Sequence, residues 1–143
     1  MTVLTILSEK GRQVVTAPPT MALQDIAREL IRHGIGAVVI VDGVGTVVGV
    51  MSERDIVCAI ANGGARALQE PVGDHMQQNP VTAHENDTVD STMQTMTLER
   101  RRHLPVMRDG RLCGLVSIGD VVKHRIKVIE EEHRCMREYI AQA

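Results

Sequence analysis

The chain has 143 residues, 43% hydrophobic and 24% charged, with a formal net charge of −2. That balance fits a globular domain, offers no general electrostatic attraction for nucleic acid or a membrane surface, and contains no apolar run of the roughly 18 residues a spanning helix needs. Phe and Trp are absent and Tyr occurs once, which excludes an aromatic stacking platform and leaves aliphatic side chains to hold any planar ligand.

Met1 to Ser8 lacks a basic start and a long apolar stretch, so no secretory signal is expected there. Three cysteines (Cys58, Cys113, Cys135) without short spacing fit reduced thiols in a cytoplasmic setting, not a disulfide frame or zinc site. Residues 3–10 read as a short amphipathic turn closed by Gly11. Val14 to Thr16 reads as a short strand and Thr20 as a helix cap. Met21, Leu23, Ile26, Ala27, Leu30 and Ile31 then recur at helical spacing up to Gly34. Ala37 to Val41 is an apolar, β-branched run expected to be buried on both faces. Asp42 to Gly45 is a hairpin turn, Thr46 to Met51 the returning strand, and a helix follows from Ser52 or Glu53 to about Ala61.

Residues 63–79 read as a linker, punctuated by Pro71 and Gly73. The order then recurs. Val81 and Thr82 form a strand, Asp87 caps a helix over 88–98, and His103 to Met107 and Leu112 to Val116 are strands around an Asp109-Gly110 turn. A last helix begins near Gly119 and runs toward Tyr139. Its tail carries Ile126, Val128, Ile129, Met136, Tyr139 and Ile140, apolar positions with no counterpart earlier. Such surplus apolar surface suits a second subunit.

The recurrence extends to specific residues. Gly49-Val-Met-Ser52-Glu-Arg-Asp55-Ile-Val is echoed by Gly114-Leu-Val-Ser117-Ile-Gly-Asp120-Val-Val at an offset of 65 residues. Val15-Thr16-Ala17 is echoed by Val81-Thr82-Ala83 at 66. Each copy is one β-α-β-β-α unit whose strands cannot bury their face alone, so the two must pack together. The chain divides into a first repeat with its N-terminal lead-in (1–62), the linker (63–79), a second repeat (80–126) and a C-terminal helical extension (127–143).

A tandem β-α-β-β-α unit with Val-Thr at its start and Gly-x-x-Ser-x-x-Asp at its end resembles the cystathionine-β-synthase (CBS) domain pair, or Bateman module. The resemblance covers nearly the whole chain and implies an α/β (α+β) fold of two repeats with pseudo-two-fold symmetry. It further implies two clefts between the repeats that bind adenosine-containing ligands, homodimerisation, and a role in metabolite sensing. By that resemblance Asp55 and Asp120 would accept the ribose hydroxyls, and Ser52 and Ser117 would bond ribose or phosphate at a helix N-terminus. Val15 and Thr16, with Val81 and Thr82, would stand beside ribose or phosphate. Ala37 and Val38, with Leu104 and Pro105, would line the purine. Taken singly, Ser and Asp ahead of a helix are ordinary caps; the doubled spacing points beyond capping.

Arg54 lies inside the first motif, where the second copy has Ile118-Gly119. A guanidinium there would clamp phosphate, which makes the two sites unequal: either the first holds the more phosphate-rich ligand or Arg54 reaches the neighbouring one. Arg100-Arg101-Arg102-His103 is the densest basic run, and Arg102 and His103, next to a strand, are the stronger ligand candidates. Gly119 joins them at the second motif. Six histidines without metal-ligand spacing give no metal site, and no nucleophile–base pairing or phosphate-cradling loop is visible. The expectation is a non-catalytic regulatory module, no enzyme, binding AMP, ADP, ATP or NAD(H) and acting on an unidentified partner protein. Two alternatives stay open: a ligand-free dimerisation scaffold, and a weak nucleic-acid binder through Arg100–Arg102.

Overall fold

The structure, a computed structural model, describes residues 1–142. Five α-helices are α1 (Val3–Lys10), α2 (Leu23–His33), α3 (Glu53–Gly63), α4 (Val89–Glu99) and α5 (Ile118–Gln142). Seven strands are β1 (Thr16–Ala17), β2 (Ala37–Val41), β3 (Val47–Ser52), β4 (Gln77–Gln78), β5 (Ala83–His84), β6 (His103–Arg108) and β7 (Arg111–Ser117). They form two sheets, ordered β1-β2-β3-β4 and β5-β6-β7. In each sheet a short parallel strand flanks an antiparallel hairpin. The register slips at the same place in both hairpins, between Ile40 and Val41 and between Val106 and Met107. A shared bulge is a detail that only a true structural repeat reproduces.

Helix α2 forms because Leu23, Ile26 and Leu30 fall on one face, and all three are buried. Gly34 ends it in a left-handed conformation. Ile31 points away and is 85% exposed, so it does not belong to that face. Ala22 holds the cap position without a side-chain bond, so Thr20 is not the cap. Thr88, not Asp87, caps α4 by accepting the Ser91 N–H; Asp87 accepts the His84 N–H within the preceding turn. The short strands begin two residues later than expected in both repeats.

The lead-in and the linker are structured, and each crosses to one repeat. Residues 3–10 form a helix, not a turn, and Val3, Ile6 and Leu7 sit in the second core with Leu104, Val106, Val116 and Val121. The linker holds two 3₁₀ turns (Gly64–Gln69 and Val72–Asp74) and β4, and Ala67 and Val72 join the first core with Leu23, Ile26 and Ile40. Each fully buried Leu, Ile or Val contributes roughly 1.5–3 kcal/mol of transfer free energy, so these segments hold their repeats together.

This crossing explains the glycine that opens each motif. A Cβ on Gly49 would collide with the Met76 side chain and the Gln77 carbonyl; one on Gly114 would lie 2.7 Å from Leu7 Cδ2. Close approach, not unusual backbone geometry, requires glycine at both. Helix α5 is longer than the expected run to Tyr139, and its apolar residues Ile126, Ile129, Met136, Tyr139 and Ile140 are exposed. No helix among the described residues is long and apolar enough to cross a membrane.

Candidate functional site

Strand β3 delivers Ser52 to the N-terminus of α3, where two orphan amides need acceptors. Ser52 Oγ accepts the Asp55 N–H at 3.2 Å, and Asp55 Oδ2 accepts the Ser52 N–H at 2.9 Å, a reciprocal capping box. The Ser52 hydroxyl also reaches Asp55 Oδ2 at 2.9 Å. Gln77 Nε2 from β4 donates to both carboxylate oxygens, at 3.3 and 3.0 Å. The Asp55 carboxylate is therefore preorganised by neutral donors alone.

The second motif repeats the box. Asp120 Oδ2 accepts the Ser117 N–H at 2.9 Å and Ser117 Oγ accepts the Asp120 N–H at 3.1 Å. Its outer partner differs: Lys10 Nζ from α1 sits 2.6 Å from Asp120 Oδ2 and 2.7 Å from the Leu115 carbonyl. Burial alone would raise the Asp120 pKa, yet the Lys10 and Ser117 hydrogen bonds outweigh it and hold the carboxyl below its ordinary range.

Between the repeats lies a cleft of about 510 Å³, within the size range of small-ligand sites. From the first repeat it is lined by Ser52, Arg54 and Asp55; from the second, by Arg100, Arg102 and His103. His103 Nε2 lies against the backbone of Gly36, 3.0 Å from where a Cβ would be. Its imidazole is held below the usual histidine pKa, first by burial and then by the nearby Lys10 charge.

The family model described as CBS domain matches residues 10–62 and again 72–127. The chain belongs to the CBS-domain family. This CBS-domain pair resembles the crystal structure of the CBS-domain containing protein ATU1752 from Agrobacterium tumefaciens. The two are 46% identical, with 87% of this chain and 99% of that one covered and a TM-score of 0.85. It also resembles the CBS domain pair of protein MJ0100, solved in complex with 5′-methylthioadenosine and S-adenosyl-L-methionine, at 29% identity over 86% of this chain and 94% of that chain, TM-score 0.77. Among curated relatives, the CBS domain-containing protein YhcV of Bacillus subtilis is 29% identical, over 80% of both chains.

Of the residues singled out from sequence, Ser52, Arg54, Asp55, Arg102 and His103 of this CBS pair meet at the cleft. The others do not line it. Ala37, Val38 and Leu104 are 1%, 0% and 0% exposed, and Pro105 is also buried. They stand in the first half of β2 and β6 with their side chains buried, so these four are not among the residues lining this cleft. Val15 packs on the first core and Val81 on the second; Thr16, in the edge strand β1, and Thr82, just before β5, are exposed. Ser117, Gly119 and Asp120 lie at the α5 start, with Asp120 already paired to Lys10.

Sequence reasoning overlooked Gln77 and Lys10. Each precedes the first strand of a repeat, and each crosses to a motif aspartate. Extending the repeat comparison upstream of the first strands would have drawn attention to both segments, though not to their partners. Cys113 is half-buried against the second core, and its thiol pKa is raised, chiefly by burial. Among the described residues no cluster of His, Cys, Asp or Glu is arranged to hold a metal.

Proposed function

We propose that this CBS pair is a non-catalytic regulatory module that binds an adenosine-containing nucleotide, AMP, ADP, ATP or NAD(H), in the cleft between its repeats. The observation that carries this reading is the convergence of a preorganised Ser52–Asp55 carboxylate with arginines and His103 from the other repeat. A carboxylate whose Oδ1 carries a single 3.3 Å hydrogen bond keeps acceptor capacity for a ribose diol, and guanidinium groups suit phosphate. The adenosine-based ligands of the MJ0100 CBS pair support the same ligand class. Binding across two repeats would bias their relative arrangement, and a partner protein would read that change in proportion to the ligand's differential affinity for the two arrangements.

The module acts as a homodimer in this proposal. Val122, Ile126 and Ile129 of α5 and Leu98 of α4 are large, apolar and 44–82% exposed, more than an isolated helix pair leaves to water without a use.

Calorimetric titration with AMP, ADP, ATP, NAD, NADH and S-adenosylmethionine tests the ligand. Saturable binding to wild type, lost in Asp55→Asn, is expected. Asn keeps the capping geometry, so the loss reports the carboxylate and not the fold. A folded protein, shown free of carried-over ligand, that binds none of the six overturns the reading.

A further inference from the structure

Helices α2 and α4 end in the same way but with different residues. Gly34 closes α2 at φ 61° and Arg100 closes α4 at φ 53°, both left-handed. They are 66 residues apart, the offset of the repeat. Glycine adopts this conformation freely, whereas an arginine strains against its own Cβ. Folding alone therefore favours glycine at position 100. The contrast continues: Gly34-Ile35-Gly36 in the first repeat faces Arg100-Arg101-Arg102 in the second.

All three arginines line the cleft, and Arg54 joins them from α3 of the other repeat. Several other arginines are paired, as Arg12 and Arg108 are with Glu85 and Arg28 with Asp25, whereas Arg66, Arg111 and Arg137 make no ion pair among the described residues. Among the described residues none of the four cleft guanidinium groups lies within 4.0 Å of a carboxylate. Glu53 and Asp55 also line the cleft, and Asp55 is occupied by Gln77 and Ser52. Strain kept at a position where glycine would serve, in a residue with no partner of its own, points to a ligand as the partner.

A phosphate monoester offers three terminal oxygens at one centre, too few and too close together for four forked donors arriving from two repeats. A chain of linked phosphates presents more acceptors over a greater length. Resting on the nucleotide reading above, we infer that this cleft selects a nucleotide with two or more linked phosphates over a monophosphate. A nucleoside triphosphate and a pyrophosphate-bridged dinucleotide share that chemistry.

The test is titration of the full chain with AMP, ATP, NADH and inorganic triphosphate, near 0.15 M salt and without divalent cations. Wild type is expected to bind ATP, NADH or both at least about tenfold tighter than AMP, with a steeper salt dependence, because each added charge-assisted contact weakens with screening. In Arg54→Ala/Arg102→Ala every phosphorylated ligand weakens, but ATP and NADH lose more than AMP, so that ratio falls toward one. Arg100→Gly restores the first repeat's residue, so its melting temperature stays level or rises while the ratio falls. A structural role for Arg100 gives the opposite, a lower melting temperature.

Inorganic triphosphate that competes with ATP locates the selection in the phosphates; failure to compete counts against it. AMP bound as tightly as ATP and NADH, or a ratio unchanged in the arginine variants, overturns phosphate selection and leaves the nucleotide reading intact. No binding of any nucleotide overturns both.

Discussion

The Lys10 ammonium group lies 2.6 Å from the Asp120 carboxylate, joining the N-terminal helix to the second repeat's motif. The matching carboxylate of the first repeat, Asp55, is held by the neutral amide of Gln77 instead. Two motifs alike in sequence are thus electrostatically different, and the difference comes from segments outside the motifs.

Lys10→Ala is expected to cost roughly 0.5–1 kcal/mol at neutral pH, because both partners are partly solvated and screened. Asp120 titrates below its ordinary range, since the Lys10 and Ser117 bonds outweigh its burial. Its stabilising contribution is therefore present above the unfolded carboxylate pKa of about 3.9 and fades as pH falls through the lower folded value. Urea unfolding of wild type and variant at neutral and strongly acidic pH checks this. A stability difference that does not shrink in acid would show that Lys10 acts through packing alone.

His103 sets a second pH dependence of the same direction. Burial and Lys10 hold its pKa down, so the unfolded chain takes up a proton before the folded one does. Stability is therefore full above the unfolded histidine value of about 6.5 and falls as pH drops from there toward the lower folded pKa. His103→Gln removes that part of the slope. Unfolding free energies that decline equally in both proteins between mildly alkaline and mildly acidic pH would refute it.

The motif glycines are predicted to be structural. Gly49→Ala would press on Met76 and on the Gln77 carbonyl, and Gly114→Ala on Leu7. Each is expected to cost about 1–3 kcal/mol, the usual penalty for overpacking. Gly49→Ala is expected to be the more damaging, because backbone yields less than a leucine side chain. The pair Gly114→Ala/Leu7→Ala should regain part of the Gly114→Ala loss relative to the sum of the single variants. Strict additivity in thermal melts would contradict the close approach.

His124, in α5, is 5% exposed, and neither ring nitrogen has a hydrogen-bond partner among the described residues. Replacing such a group with an apolar one of similar size removes a desolvation penalty. His124→Leu is expected to stabilise the fold by about 1–2 kcal/mol, while His124→Asn should not. Chemical denaturation of the two variants decides it, and a destabilised Leu variant would mean that the imidazole has a partner in solution.

The repeat, the element order and the family were legible in the primary sequence because they follow from local rules. Apolar periodicity marked α2 and β2, Gly34 marked a helix end, and the doubled Gly-x-x-Ser-x-x-Asp marked two capped helix starts. A capping box spans four residues, so its geometry is encoded where it occurs. The tertiary structure alone decided which side chains share a cleft. Arg54 and Arg102 are 48 positions apart in the chain but face one space, while Ala37 and Leu104, beside the expected site in sequence, are sealed in the sheets. It also decided that α1 serves the second repeat and β4 the first. Those pairings depend on which apolar surfaces remain uncovered after each repeat has folded, and that is a property of the packed molecule, carried by no single stretch of its residues.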